Sequence, residues 1–224
     1  MKRTLSLLLC FVLLTLTLSS FVSCGKKGED INLPDVASIM PSLEEAPREI
    51  TYVEINVKRY GKIICALDPL YAPQTVANFL KLVDEGFYNG LTFHRMQVGF
   101  VLQGGCPNGD GTGGTTPIKG EFLQNGVINN MPHVRGVLSM ARRGDSFDSG
   151  SCQFFICHQN AQPSLDGAYT AFGYVVEGIW VVDAIAEYVT ENQYEVMRDY
   201  MGSLYPQYQP VIKSIKRIDY TPSK

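Results

Sequence analysis

Between residues 51 and 58 the chain alternates without a break: Thr51, Val53, Ile55 and Val57 lie on one side, Tyr52, Glu54, Asn56 and Lys58 on the other. A period of two with β-branched residues on one side is the signature of a strand that keeps one face in a core. Gly61 then turns the chain into the run Ile63-Ile64-Cys65-Ala66-Leu67, which predicts a hairpin. Such a hairpin needs more strands to bury its face. The chain supplies short strand-like runs at 91–95, 99–104, 136–141, 153–157 and 171–176, joined by glycine-rich connections, and a last one in VIKSIKRID. That spacing predicts a mainly β barrel or sandwich. Helices enter at few places. Val76, Phe79, Leu80 and Val83 fall at helical spacing behind Pro73, and Ile179, Val182, Ile185 and Ala186 share a face over 179–187. Val196, Met197, Tyr200, Met201 and Leu204 predict a further helical insertion over 191–204, ended by Tyr205-Pro206.

The beginning of the chain has a different character. Lys2 and Arg3 precede the apolar run LSLLLCFVLLTLTLSSFVSC, which ends at Cys24 and is followed by Gly25, Lys26 and Lys27. This is the layout of a secretory signal over 1–23, and the small residue before Cys24 makes that cysteine the expected site of lipidation. Phe21 stands where a lipobox usually has Leu. An uncleaved anchor is the competing reading, because the run is close to the ~20 apolar residues that a bilayer core takes. Either reading exports the rest of the chain and tethers it to a bacterial membrane. Residues 24–48 mix charges with prolines and hold no period, which reads as the lipidated cysteine and a flexible linker ahead of a domain at 49–220.

A content of 45% apolar residues in 224 is enough for a sizeable core, and a formal charge of −3 with no basic face argues against a nucleic-acid partner. Cys65, Cys106, Cys152 and Cys157 show no CxxC or zinc spacing and are expected to be small buried hydrophobes. The stretch GGCPNGDGTGGTTPIKGEF lacks the Lys-Ser/Thr ending of a P-loop, and as an EF-hand loop begun at Asn108 it has Lys119 where a glutamate is required. His94, His133 and His158 are too scattered for a zinc motif, so each is expected to be structural or on the surface. Cys157 and His158 are adjacent on an expected strand and would face opposite ways, which disfavours thiol catalysis.

What remains resembles the cyclophilin family of peptidyl-prolyl cis-trans isomerases, from about residue 50 to 219. The matching stretches are FHRMQVGFVLQGG (93–105), GTGG (111–114), KGEF (119–122), GVLSMAR (136–142), QFFIC (153–157) and LDGAYTAFG (165–173). The resemblance implies an eight-stranded antiparallel barrel capped by two α-helices, with the substrate site on its outer face. It implies catalysis of Xaa-Pro rotation by Arg95, with Gln103, Phe100 and Phe155, and peptide contacts from Val101, Ala141, Arg142, Gln153, Leu165 and Tyr169. It calls for no metal and no cofactor. Its partners would be proline-containing peptides and unfolded or partly folded exported proteins, met by a monomer on a lipid anchor at Cys24. Four positions depart from common family patterns: Val101 replaces Met, Arg142 replaces the Asn of eukaryotic members, Tyr169 replaces His, and Ser164 falls where some members have Trp. The same fold could also serve as a non-catalytic peptide-binding chaperone or scaffold, which would tolerate loss of Arg95 or Gln103.

The residues suit that chemistry. Rotation about a prolyl bond is slowed by amide resonance, with a barrier of about 18–20 kcal/mol, and no covalent bond need break. An enzyme has only to bind the twisted state better than the planar ones. A guanidinium donor aimed at the prolyl nitrogen, above an apolar floor for the ring, is sufficient equipment.

Overall fold

A computed structural model describes residues 49–222. The expected signal, Cys24 and the linker through residue 48 lie outside the described residues. Eight strands run β1 (Thr51–Val57), β2 (Gly61–Leu67), β3 (Phe93–Gln97), β4 (Val101–Gly104), β5 (Val137–Met140), β6 (Phe154–Cys157), β7 (Thr170–Glu177) and β8 (Ile212–Ile218). The helices are α1 (Pro73–Asp84), α2 (Gln162–Leu165), α3 (Trp180–Glu191) and α4 (Gln193–Val196). One sheet holds all eight strands in the order β3-β4-β6-β5-β7-β2-β1-β8, with antiparallel neighbours throughout. Its two ends meet at one corner: Phe93 N donates to Pro210 O at 2.9 Å and Ile212 N to Leu91 O at 2.8 Å. The architecture is therefore the mainly β, eight-stranded antiparallel one expected, curled and joined at that corner.

Period two decides what each face holds. On β1, Val53, Ile55 and Val57 are buried, and Ile55 lies opposite Ile63 on β2. On β6 the alternation continues on both faces, because the sheet is covered on both. Phe154 and Ile156 enter the large inner cluster, whereas Phe155 and Cys157 enter a smaller outer one. The outer cluster gathers Val101, Val137 and Ala171 from other strands, with Leu165 from α2 and Met131 and Ala161 from connecting segments.

Helix α1 buries the predicted Val76, Phe79, Leu80 and Val83. Phe79 meets Tyr88, Phe154 and Phe172 at 5.0, 5.3 and 5.2 Å between ring centres. Its N-cap, Ala72, has no side chain to offer the free N–H groups. The buried Glu121 carboxylate takes that place, accepting from Gln74 N at 3.0 Å, Thr75 N at 2.8 Å and Thr75 Oγ1 at 2.7 Å. A negative group at a helix N-terminus also suits the helix dipole. Helix α3 is longer than the predicted 179–187 and buries Val181, Val182, Ile185, Ala186 and Val189 in the same core.

The helix expected over 191–204 is a correction. Past Glu191, the last residue of α3, only α4 is helical there. Met197 then bridges Leu204, Arg198 N donates to Ser203 O at 2.7 Å, and the chain turns between them. Helical spacing misled because Asp199 Oδ1 takes the N–H of Met201 at 2.9 Å and of Ser203 at 3.1 Å, a side-chain bond that competes with helix continuation. Pairing with β3 takes up further backbone groups of the segment.

All four described cysteines are free and buried. Burial pushes the Cys157 thiol up to about 12, which keeps it protonated and unreactive. His158 is directed elsewhere, its Nδ1 accepting from Gly99 N at 3.0 Å.

Candidate functional site

The outer face carries a row of residues drawn from four strands. Arg95 on β3 is paired with Gln103 on β4, Gln103 with Phe155 on β6, and Phe155 with Ser139 on β5. Directly opposed residues share a face, so the register brings the arginine, the glutamine and the phenylalanine into line. Phe155 is almost fully buried at 4% exposure, against Val101 and Leu165, with Phe100, Ala141 and Tyr169 packed on the same cluster. Tyr169 stands edge-on to Phe155, 5.9 Å between ring centres.

Arg95 is held on three sides. Its Nη1 donates to Gln103 Oε1 at 3.2 Å, its Nη2 to Gln97 Oε1, and its Nε to the Met201 carbonyl at 2.8 Å. One N–H on each terminal nitrogen is left over. Burial pushes the guanidinium pKa down from its ordinary value, while the nearby Asp199 carboxylate opposes the shift; the group stays cationic. From Gln103 the bonding continues outward. Its Nε2 donates to Gln153 Oε1 at 3.0 Å, and Gln153 Nε2 donates to the carbonyls of Gly111 and Gly113 at 2.9 and 2.7 Å. The glycine-rich stretch that resisted every phosphate and metal motif is thus a wall. Together with Gln103, Ala141, Arg142 and Gln153 it lines a groove beside the row. Cys106 Sγ braces the loop by accepting from Gly111 N at 3.3 Å and Gly113 N at 3.4 Å.

All ten candidate residues of the domain stand in this one region. Arg142 is turned inward along its length: Nε donates to Ala168 O at 2.9 Å, and its guanidinium carbon lies 4.6 Å from the Tyr169 ring centre and 5.1 Å from that of Phe147. Three supporting groups were missed by sequence reasoning. Gln97 had a legible signal, since it lies two residues from Arg95 on one strand and so shares its face. Met201 O and His133 had none. His133 is stacked behind Phe155 at 6.2 Å, with Nδ1 2.8 Å from Asp166 Oδ1 and Nε2 2.9 Å from Ser139 Oγ. Burial pushes its pKa down and Asp166 opposes that; the neutral ring donates to the carboxylate and accepts from the hydroxyl.

The arrangement offers a fixed cationic donor beside an apolar surface, with side-chain amides and a backbone groove for an extended peptide. Residues 52–203 match the family model described as cyclophilin type peptidyl-prolyl cis-trans isomerase/CLD. A peptidyl-prolyl cis-trans isomerase B of Bacillus subtilis is 54% identical over 122 residues, which is 53% of this chain and 79% of that protein. A peptidyl-prolyl cis-trans isomerase of Helicobacter pylori is 44% identical over 147 residues, 64% of this chain and 85% of the relative. A crystal structure of a Cryptosporidium parvum cyclophilin type isomerase superposes with a TM-score of 0.64 at 26% identity, covering 77% of this chain and 99% of that one. A second crystal structure of that isomerase, determined in the presence of the dipeptide Ala-Pro, gives 0.63, covering 75% of this chain and 99% of that one.

Proposed function

The chain belongs to the cyclophilin-type peptidyl-prolyl cis-trans isomerases and is an enzyme of that class, and on this premise we propose that Arg95 drives Xaa-Pro rotation in exported, incompletely folded proteins. As the amide twists, the prolyl nitrogen loses resonance and regains a lone pair. A remaining N–H of Arg95 donates to it, a bond worth far less to the planar amide, so the barrier falls without lowering the ground state equally. Phe155, Phe100, Val101 and Leu165 receive the proline ring. Gln103 holds the guanidinium, and Gln153, Ala141, Arg142 and Tyr169 border the flanking peptide. Proline-containing peptides are the substrate class, in keeping with the Ala-Pro dipeptide used with the Cryptosporidium relative.

The observation that carries this reading is the cross-strand row in which Arg95 bonds Gln103 beside Phe155. A non-catalytic scaffold has no use for a cation held this way. The test follows exchange of a short Xaa-Pro peptide by NMR in the full-length protein and in Arg95→Ala. The substitution should lower kcat/KM by about two orders of magnitude, roughly 3 kcal/mol, with the fold retained. Equal rates would end the mechanism. The proposed workplace is a membrane surface outside the cytoplasm, supported by the charge and apolar pattern of 1–23 ahead of Cys24. Mass analysis of the protein from a bacterial membrane should find Cys24 N-terminal and diacylated or triacylated; an unmodified Cys24 removes the lipoprotein assignment.

A further inference from the structure

Arg95 sits on β3, one of the two edge strands of the sheet. An edge strand exposes unpaired backbone groups and gives its side chains support from one neighbour only. Here the open side of β3 is covered. Met96 N donates to Gly202 O and Leu204 N to His94 O, both at 2.9 Å, and Ser203 bridges Arg95 itself. The strap formed by 197–204 thereby acts as a short extra strand next to the candidate catalytic arginine.

Two features bring the strap to that position. Gly202 has φ +89°, and a Cβ there would lie 2.4 Å from Met96 O and 2.9 Å from Gln97 N, so no other residue allows this approach. Asp199 Oδ1 ties the N–H groups of Met201 and Ser203 into one turn. Between these two, Met201 turns its carbonyl toward Arg95 and accepts from Nε at 2.8 Å. Gln103 and Gln97 each take one terminal nitrogen. The bond to Nε lies nearest the flexible stem and fixes the plane in which the remaining N–H groups point.

We propose that the 197–204 strap is a positioning element for the catalytic arginine, with Gly202 and Asp199 as the residues that set the Met201 carbonyl against Arg95 Nε. The inference rests on Arg95 being the catalytic donor. An arginine side chain is long and loses considerable rotamer freedom on being fixed. A donor fixed before the substrate arrives accelerates the twist, and one that must be ordered during it does so less. The strap therefore acts on kcat more than on KM.

The experiment uses the full-length protein with Gly202→Ala, Asp199→Ala and Asp199→Asn, the first two also combined with Arg95→Ala. Gly202→Ala and Asp199→Ala should each lower kcat by about tenfold or more while KM stays within about twofold. The Arg95 Nε–H signal in 15N NMR should move and begin to exchange rapidly with water. Asp199→Asn, whose amide oxygen still accepts both N–H groups, should keep the signal in place and kcat within about twofold of the parent. In the Arg95→Ala background neither substitution should lower the residual rate further. A displaced Nε–H signal with unchanged kcat overturns the proposal. So does a loss of the same size in the Arg95→Ala background, since the strap would then serve the fold alone. Failure of Gly202→Ala to fold leaves Asp199→Ala against Asp199→Asn as the deciding pair. An Arg95→Ala protein as active as the parent would instead overturn the assignment of Arg95, a separate result.

Discussion

Phe154 and Phe155 are adjacent in the chain and opposite in employment. Phe154 points into the inner core, fully buried, with edge-on contacts to Phe79, Tyr88 and Phe93 at 5.3, 5.6 and 6.0 Å between ring centres. Phe155 points outward into the smaller cluster, stacked on His133 and edge-on to Tyr169. Inside, the neighbours are apolar and many, and the demand on each is to fill space. Outside, the same kind of ring sits in register with Gln103 and Arg95, and the demand is to stand beside a fixed donor. Burial alone does not tell these roles apart. What separates them is which polar groups share the face.

The largest expected effect is on the inner side. Phe154→Ala should cost about 3–5 kcal/mol of unfolding free energy by chemical denaturation, through lost burial and a cavity with no route to solvent. A loss under 1 kcal/mol would mean the interior is loosely packed and the contrast is false.

The next effect falls on β3 between the two regions, where His94 stands between Phe93 of the inner cluster and Arg95 of the outer row, and concerns acid sensitivity. His94 is 4% exposed with Nδ1 lacking a partner, and burial chiefly pushes its pKa down to about 4, with Arg95 adding to the shift and Asp110 opposing it. The folded value lies below the unfolded one, about 6.5, so the unfolded chain takes the proton first. Stability is full above about pH 6.5 and falls as pH drops toward 4, by about 3 kcal/mol from this group. His94→Asn should flatten that part of the stability profile; an unchanged slope would place the acid sensitivity elsewhere.

The smallest stability effect belongs to Phe155→Ala, about 1–2 kcal/mol, because its cluster is small and borders the groove where water can enter. Its kcat/KM should nevertheless fall about thirtyfold in the peptide exchange assay. If Phe155→Ala were as destabilising as Phe154→Ala and no less active than the parent, the outer cluster would be ordinary core.

Much of this was legible in advance. Residues 51–57 show their strand by alternation, and α1 shows its buried face by the spacing of Val76, Phe79, Leu80 and Val83. The outer-face set was reached through motif resemblance, and period two adds that Arg95 and Gln97 point together. The segment 191–204 misled because the spacing of Val196, Tyr200 and Met201 is helical, while the bonds made by Asp199 and the pairing with β3 leave no sign in that spacing. Glu121 lay inside a recognised stretch, yet nothing near it in sequence announces that it caps α1.

By itself, the sequence determined the strands and the two long helices, because those depend on side chains a few positions apart, and its motifs carried the outer-face residues through their resemblance to a family. The tertiary structure alone decided how α1 begins and how Arg95 is aimed. Those bonds join residues 46 and 106 positions apart, and whether such groups meet depends on how the sheet curls and where a strap returns, which no local period encodes.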